Sequence, residues 1–110
     1  MQNITDINLL NKMKLNGSLL ILFGGEHCAV CQSLHPRLES AIEKQFPDLR
    51  CVYVDCNISP EICAQHSVFS LPVVKAYIDG MIIADEFGAF SIKKLMQTID
   101  RPYRIWKESI

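Results

Sequence analysis

The hydrophobic pattern alternates between helical spacing and continuous apolar runs. Near the start, Ile7, Leu10 and Met13 share one helical face. Thr5 or Asp6 can cap that helix, and Asn16-Gly17 can stop it. Ser18 to Phe23 (SLLILF) is almost wholly apolar, as a central strand covered on both faces should be. After Gly24-Gly25 the helical period returns, with Val30, Leu34, Leu38, Ala41, Ile42 and Phe46 in step. Pro36 lies inside that run. Because the period continues beyond it, the proline is expected to kink the helix rather than end it.

Leu49 to Cys56 (LRCVYVDC) reads as a second strand, followed by a short helix opened by Ser59-Pro60. Two further strands, PVVKAYI (72–78) and MIIADEF (81–87), are joined by Asp79-Gly80, a strong two-residue hairpin signal. Ser91 then caps a last helix with Ile92, Leu95, Met96 and Ile99 on its apolar face. Strand–helix–strand crossovers imply parallel pairing, and the hairpin adds an antiparallel edge. The expectation is a mixed α/β sheet with helices on both faces.

Composition narrows the function classes. A chain of 110 residues is read as one domain, and 49% apolar content is ordinary for a globular protein. The net charge is −1 with no lysine or arginine cluster, so neither nucleic acid nor an anionic membrane is expected as the main partner. The longest apolar run is far too short to span a bilayer. The first residues show no basic segment followed by an apolar one, so the chain is read as cytoplasmic. In that compartment structural disulfides are rare, and a close cysteine pair is more often catalytic or metal-binding.

Such a pair stands in GGEHCAVCQSLHPRLES (24–40), at the carboxyl end of the central strand, where open α/β sheets place their sites. If the helix starts at Ala29, Cys28 is its N-cap and Cys31 lies in its first turn. The free N–H groups and the positive end of the helix dipole favour a thiolate at Cys28. Cys31 is turned back beneath that turn. Cys28 is therefore the expected nucleophile toward a disulfide, and Cys31 the resolving thiol that attacks Cys28. Of the other cysteines, Cys51 and Cys56 are about 16 Å apart along a strand and cannot bridge each other. Cys63 and His66 share a short helix. Cys28/Cys31 with Cys56/Cys63 lacks a second close-spaced pair, so no metal site is expected. Each of Cys51, Cys56 and Cys63 is read as a buried, inert thiol, with Cys56 nearest the site edge.

The strand–CxxC–helix unit, Pro36 five residues after Cys31, SLPVV with Leu71-Pro72, and Gly80 and Gly88 together resemble the thioredoxin family. The resemblance covers a core of about residues 4–99 and leaves residues 100–110 as a C-terminal tail. It implies the thioredoxin fold and a monomer that reduces protein disulfides. It also implies no bound cofactor, and electrons drawn from an NADPH-dependent thioredoxin-reductase-like flavoprotein. It makes Pro72 a cis-proline that keeps metal from the thiols, and Leu71 the backbone that binds an extended substrate strand.

The chain departs from the family pattern in several places. His-Cys-Ala-Val-Cys stands where the family reads Trp-Cys-Gly-Pro-Cys. A protonated His27 would lower the Cys28 pKa. The family's buried aspartate corresponds to Leu22 and its lysine partner to Tyr53, so the usual proton acceptor for Cys31 is missing. His35, one helical turn after Cys31, or else water, is the candidate replacement acceptor. The alternative function is a thioredoxin-like module that grips a partner peptide at Leu71-Pro72 with little turnover.

Overall fold

The computed structural model describes residues 1–110. The chain runs β1 (Gln2–Asn3), α1 (Ile7–Leu15), β2 (Ser18–Gly24), α2 (Ala29–Gln45), β3 (Arg50–Asp55), α3 (Pro60–Gln65), β4 (Val73–Ile78), β5 (Met81–Phe87) and α4 (Ile92–Ser109). The five strands form one sheet in the order β1-β3-β2-β4-β5. Every residue of the central β2 is buried, as its unbroken apolar run requires. Its side chains alternate between two cores. Leu20 and Leu22 meet Leu34, Leu38 and Ile42 of α2 and Leu95, Met96 and Ile99 of α4. Leu19, Ile21 and Phe23 meet Leu10 of α1 and Ile62 of α3.

The strand directions refine the expectation from connectivity. β1, β3 and β2 are mutually parallel, but β4 lies beside β2 and runs antiparallel to it. The connection from β3 to β4 is the reason. The six-residue α3 rises only about 9 Å, whereas six strand residues span about 20 Å. The chain therefore stays at the carboxyl end of the sheet, pairs Val73 with Phe23, and returns in the opposite direction.

The β4–β5 hairpin has the two-residue loop that Asp79-Gly80 announces. Both residues have positive φ, 47° and 88°, the geometry that matches the twist of paired strands. Asp79 also accepts the Gly17 N–H through Oδ1 at 2.8 Å, which ties the hairpin to the end of α1. A bulge at the Ala76/Tyr77 register shift leaves Ile83 as the extra residue of β5.

Residues 100–110 are not a detached tail. α4 continues through Pro102 to Ser109, and Tyr103 is buried against the core. The proline removes one helical N–H, but contacts beyond it outweigh that loss. The Tyr103 hydroxyl accepts the Asp48 N–H at 3.0 Å. Its ring packs on Phe46 at 4.9 Å and Trp106 at 5.8 Å, and Lys107 pairs with Asp48. No helix is long and apolar enough to cross a membrane.

Candidate active site

β2 ends at Gly24, and the loop 25–28 turns directly into α2. Cys28 is the N-cap of that helix, with extended backbone angles. Its Sγ accepts the Cys31 N–H at 3.1 Å, so the sulfur occupies the position of a capping oxygen. The two cysteines form a disulfide with Cα atoms 5.2 Å apart. Cys28 is half-buried, whereas Cys31 is 1% exposed. An incoming group therefore reaches Cys28 first. With the disulfide open, an N–H directed at Sγ and the positive end of the helix dipole are the setting in which a thiolate can be held. The Gln32 side chain braces the loop by donating to the Gly25 carbonyl at 3.3 Å.

Leu71 and Pro72 border the same loop. The Leu71–Pro72 peptide is cis. A Cβ placed on Gly25 would lie 3.2 Å from Leu71 Cδ1 and 2.6 Å from Asn57 Oδ1, so a side chain there would have to push these two side chains aside. The Pro72 carbonyl accepts the Gly88 N–H at 2.9 Å, while the Leu71 backbone makes no hydrogen bond within the chain. A half-buried backbone with an unused donor and acceptor is suited to an added strand.

The histidines differ in setting. The His27 side chain is 85% exposed, with Nε2 3.7 Å from Glu26 Oε1. It faces solvent and an acid. His35 is half-buried on α2, and its ring stacks on Tyr53 at 5.2 Å between centroids with planes 10° apart. The β2–β3 register sets Tyr53 directly opposite Leu22. Burial, reinforced by Asp55, pushes the Tyr53 phenol above its ordinary range, so it stays protonated.

The inert-thiol reading fails for two of the remaining cysteines. Cys56 and Cys63 form a second disulfide, with Cα atoms 5.8 Å apart. Cys56 follows β3 directly, and its N–H donates to the Gly24 carbonyl at 2.8 Å. The tight turn through Asn57 and Ser59 then brings α3 back over the strand end, placing Cys63 against Cys56. The available signal was the strand–turn–helix connection itself, which returns a residue seven positions on to the strand terminus. Cys51 is the one free thiol, and burial, with Glu39 nearby, pushes its pKa up to about 12. No group of three or more His, Cys, Asp or Glu side chains could hold a metal ion.

Comparison with known proteins agrees with this geometry. The family model described as Thioredoxin matches residues 2–101. The Thioredoxin-like protein YdfQ of Bacillus subtilis is 26% identical over 101 residues, covering 92% of this chain and 89% of that protein. The thioredoxin of Chlamydia trachomatis is 31% identical over 86 residues, 78% of this chain and 83% of its own. The crystal structure of oxidized mitochondrial thioredoxin 3 from Saccharomyces cerevisiae superposes with a TM-score of 0.79 at 28% identity, covering 90% of this chain and 92% of that one. With the fold, the CxxC at a helix N-terminus and the family match in agreement, the chain belongs to the thioredoxin family of protein-disulfide oxidoreductases.

Proposed function

We propose that the protein reduces protein disulfides through a Cys28/Cys31 dithiol–disulfide cycle. The observation that carries this reading is the asymmetry of the pair: one sulfur caps the helix and is reachable, and the other is buried one turn inside. The Cys28 thiolate attacks a substrate disulfide, forming a Cys28–substrate bond and releasing one substrate thiolate. Cys31 then loses its proton and attacks the Cys28 sulfur. That step forms the Cys28–Cys31 disulfide and releases the second substrate thiolate. Two electrons and two protons thus pass from the dithiol to the substrate. His35 accepts the Cys31 proton, and an extended substrate segment pairs with the free backbone of Leu71 beside Pro72. His27, when protonated, adds modestly to the Cys28 thiolate, since Glu26 offsets its charge.

The cycle needs no resident cofactor. Its electrons come from an NADPH-dependent flavoprotein reductase of the thioredoxin-reductase type. A reductant of this kind works where thiols are kept reduced, and we assign the cytoplasm on that ground, which makes the Cys56–Cys63 disulfide the less usual case of a structural bridge in that compartment.

The test is reduction of a protein disulfide with dithiothreitol as electron donor, then with a reductase. Cys28→Ser should abolish turnover. Cys31→Ser should still attack, but arrest as a mixed disulfide that gels resolve. Full turnover by Cys28→Ser would sink the assignment. A second reading, a peptide-gripping module with little turnover, draws on the exposed Phe69 and Phe87, which flank Val73 just past Pro72. Tight binding of a reduced peptide by wild type, with negligible disulfide reduction, would favour it.

A further inference from the structure

The family's carboxylate–ammonium pair is replaced here by Leu22 and Tyr53, which face each other across β2 and β3. Neither can accept a proton from Cys31 at neutral pH. Leu22 is aliphatic, and the buried phenol beside Asp55 keeps its own proton. Tyr53 nevertheless shows a specific arrangement. Its ring lies flat on the His35 imidazole, one helical turn along α2 from Cys31. The space for that ring is made by Gly24. A Cβ at position 24 would stand 2.5 Å from the Tyr53 hydroxyl oxygen and 3.0 Å from two ring carbons. The ring is therefore confined between the end of β2 and the imidazole.

We propose that Tyr53 is a positioning residue for His35, its ring holding the imidazole against the buried face of α2 where Cys31 must surrender its proton. This rests on the reading of His35 as the proton acceptor. A histidine on a helix surface samples several rotamers. Stacking against a fixed ring removes that freedom, and misplacement by about 1 Å can cost about a hundredfold in rate. The groups that bear on His35 are Tyr53 from β3, with Asp55 behind it, and Glu39 one turn further along α2. Glu39 in turn holds the Met1 ammonium.

Stopped-flow measurement of attack and resolution across neutral pH tests the proposal. Tyr53→Leu should slow resolution about tenfold or more and leave attack by Cys28 unchanged. The attack step thereby reports that the fold is intact. Tyr53→Phe, which keeps the ring, should restore resolution. Gly24→Ala, which displaces the ring without touching it chemically, should reproduce the Tyr53→Leu effect. In a His35→Ala background Tyr53→Leu should add nothing. By NMR, the His35 ring protons should lose their ring-current shift in Tyr53→Leu and keep it in Tyr53→Phe. Normal resolution in His35→Ala would overturn the base reading and this proposal with it. Slow resolution in His35→Ala but a normal rate in Tyr53→Leu would overturn the positioning role alone. So would an equal Tyr53→Leu penalty with and without His35.

Discussion

The two disulfides occupy equivalent places in the topology, yet their surroundings differ. Each lies where a parallel strand ends and the chain turns into a helix: β2 into α2 for Cys28–Cys31, β3 into α3 for Cys56–Cys63. In the first, the leading cysteine is itself the cap of a 17-residue helix and its sulfur receives an N–H. In the second, Ser59 holds the cap position, the helix has six residues, and no amide is directed at either sulfur. Cys63 is only 3% exposed. This difference predicts that the helix terminus activates the cysteine whose sulfur occupies the cap, Cys28, and not the pair beside α3.

The comparison can be broken most directly by chemistry. After full reduction, alkylation at mildly acidic pH should label Cys28 faster than Cys56, Cys63 or Cys51 by about a hundredfold, since the thiolate is the reacting species. Mass spectrometry of timed samples reads this out, and first labelling at Cys56 would reverse the assignment. Cys51 should be slowest, because its thiol ionises only near pH 12.

Next in size is the contribution to stability. Closing the short segment between Cys56 and Cys63 restricts the unfolded chain by about 2–3 kcal/mol. Cys63→Ser should lower denaturant stability by about that much while leaving the disulfide-reduction rate of Cys28 within about twofold. A large loss of activity with unchanged stability would mean that the second pair takes part in turnover.

The smallest expected effect lies at the far end of α3. His66 is buried, with Nδ1 2.8 Å from the Ile62 carbonyl and Nε2 2.9 Å from Lys14 Nζ. The neutral ring satisfies both contacts by donating to Ile62 and accepting from the ammonium. Burial lowers the His66 pKa, with Lys14 and Lys75 acting in the same direction against the Ile62 carbonyl. The unfolded chain therefore binds the proton more readily. This contribution to stability is full above the ordinary histidine range, about 6.5, and is lost as pH falls from there through the folded value. His66→Gln should flatten that acid-side decline in thermal melts followed from neutral pH downward. Lys14→Met should cost about 1 kcal/mol at neutral pH by removing the donor to Nε2.

Much of this arrangement was legible in local sequence. Asp79-Gly80 dictated its own hairpin because both positions need positive φ, and SLLILF declared a strand buried on both faces. The CxxC was readable because a cap cysteine and its partner lie within one turn. What escaped depended on how elements pack. The two residues of β1 are too few to show a period. The direction of β4 depended on the length of α3. Residues 100–110 lie beyond the stretch that the family resemblance covers, although Ile99, Tyr103 and Trp106 continue one apolar face through Pro102. The Tyr53–His35 stack joins a strand to a helix, and nothing within either segment announces it.

The fit between Gly24 and Tyr53 constrains how this sequence can change over generations. Volume at the two positions is shared, since one hydroxyl-bearing ring fills the space a side chain at position 24 would need. A lineage that enlarges position 24 first passes through a steric clash, and one that shrinks position 53 first passes through a cavity costing about 3–5 kcal/mol. Either intermediate is a valley. Related chains should therefore carry the pair as small-with-large or large-with-small, and exchange the two states only where stability elsewhere tolerates the crossing.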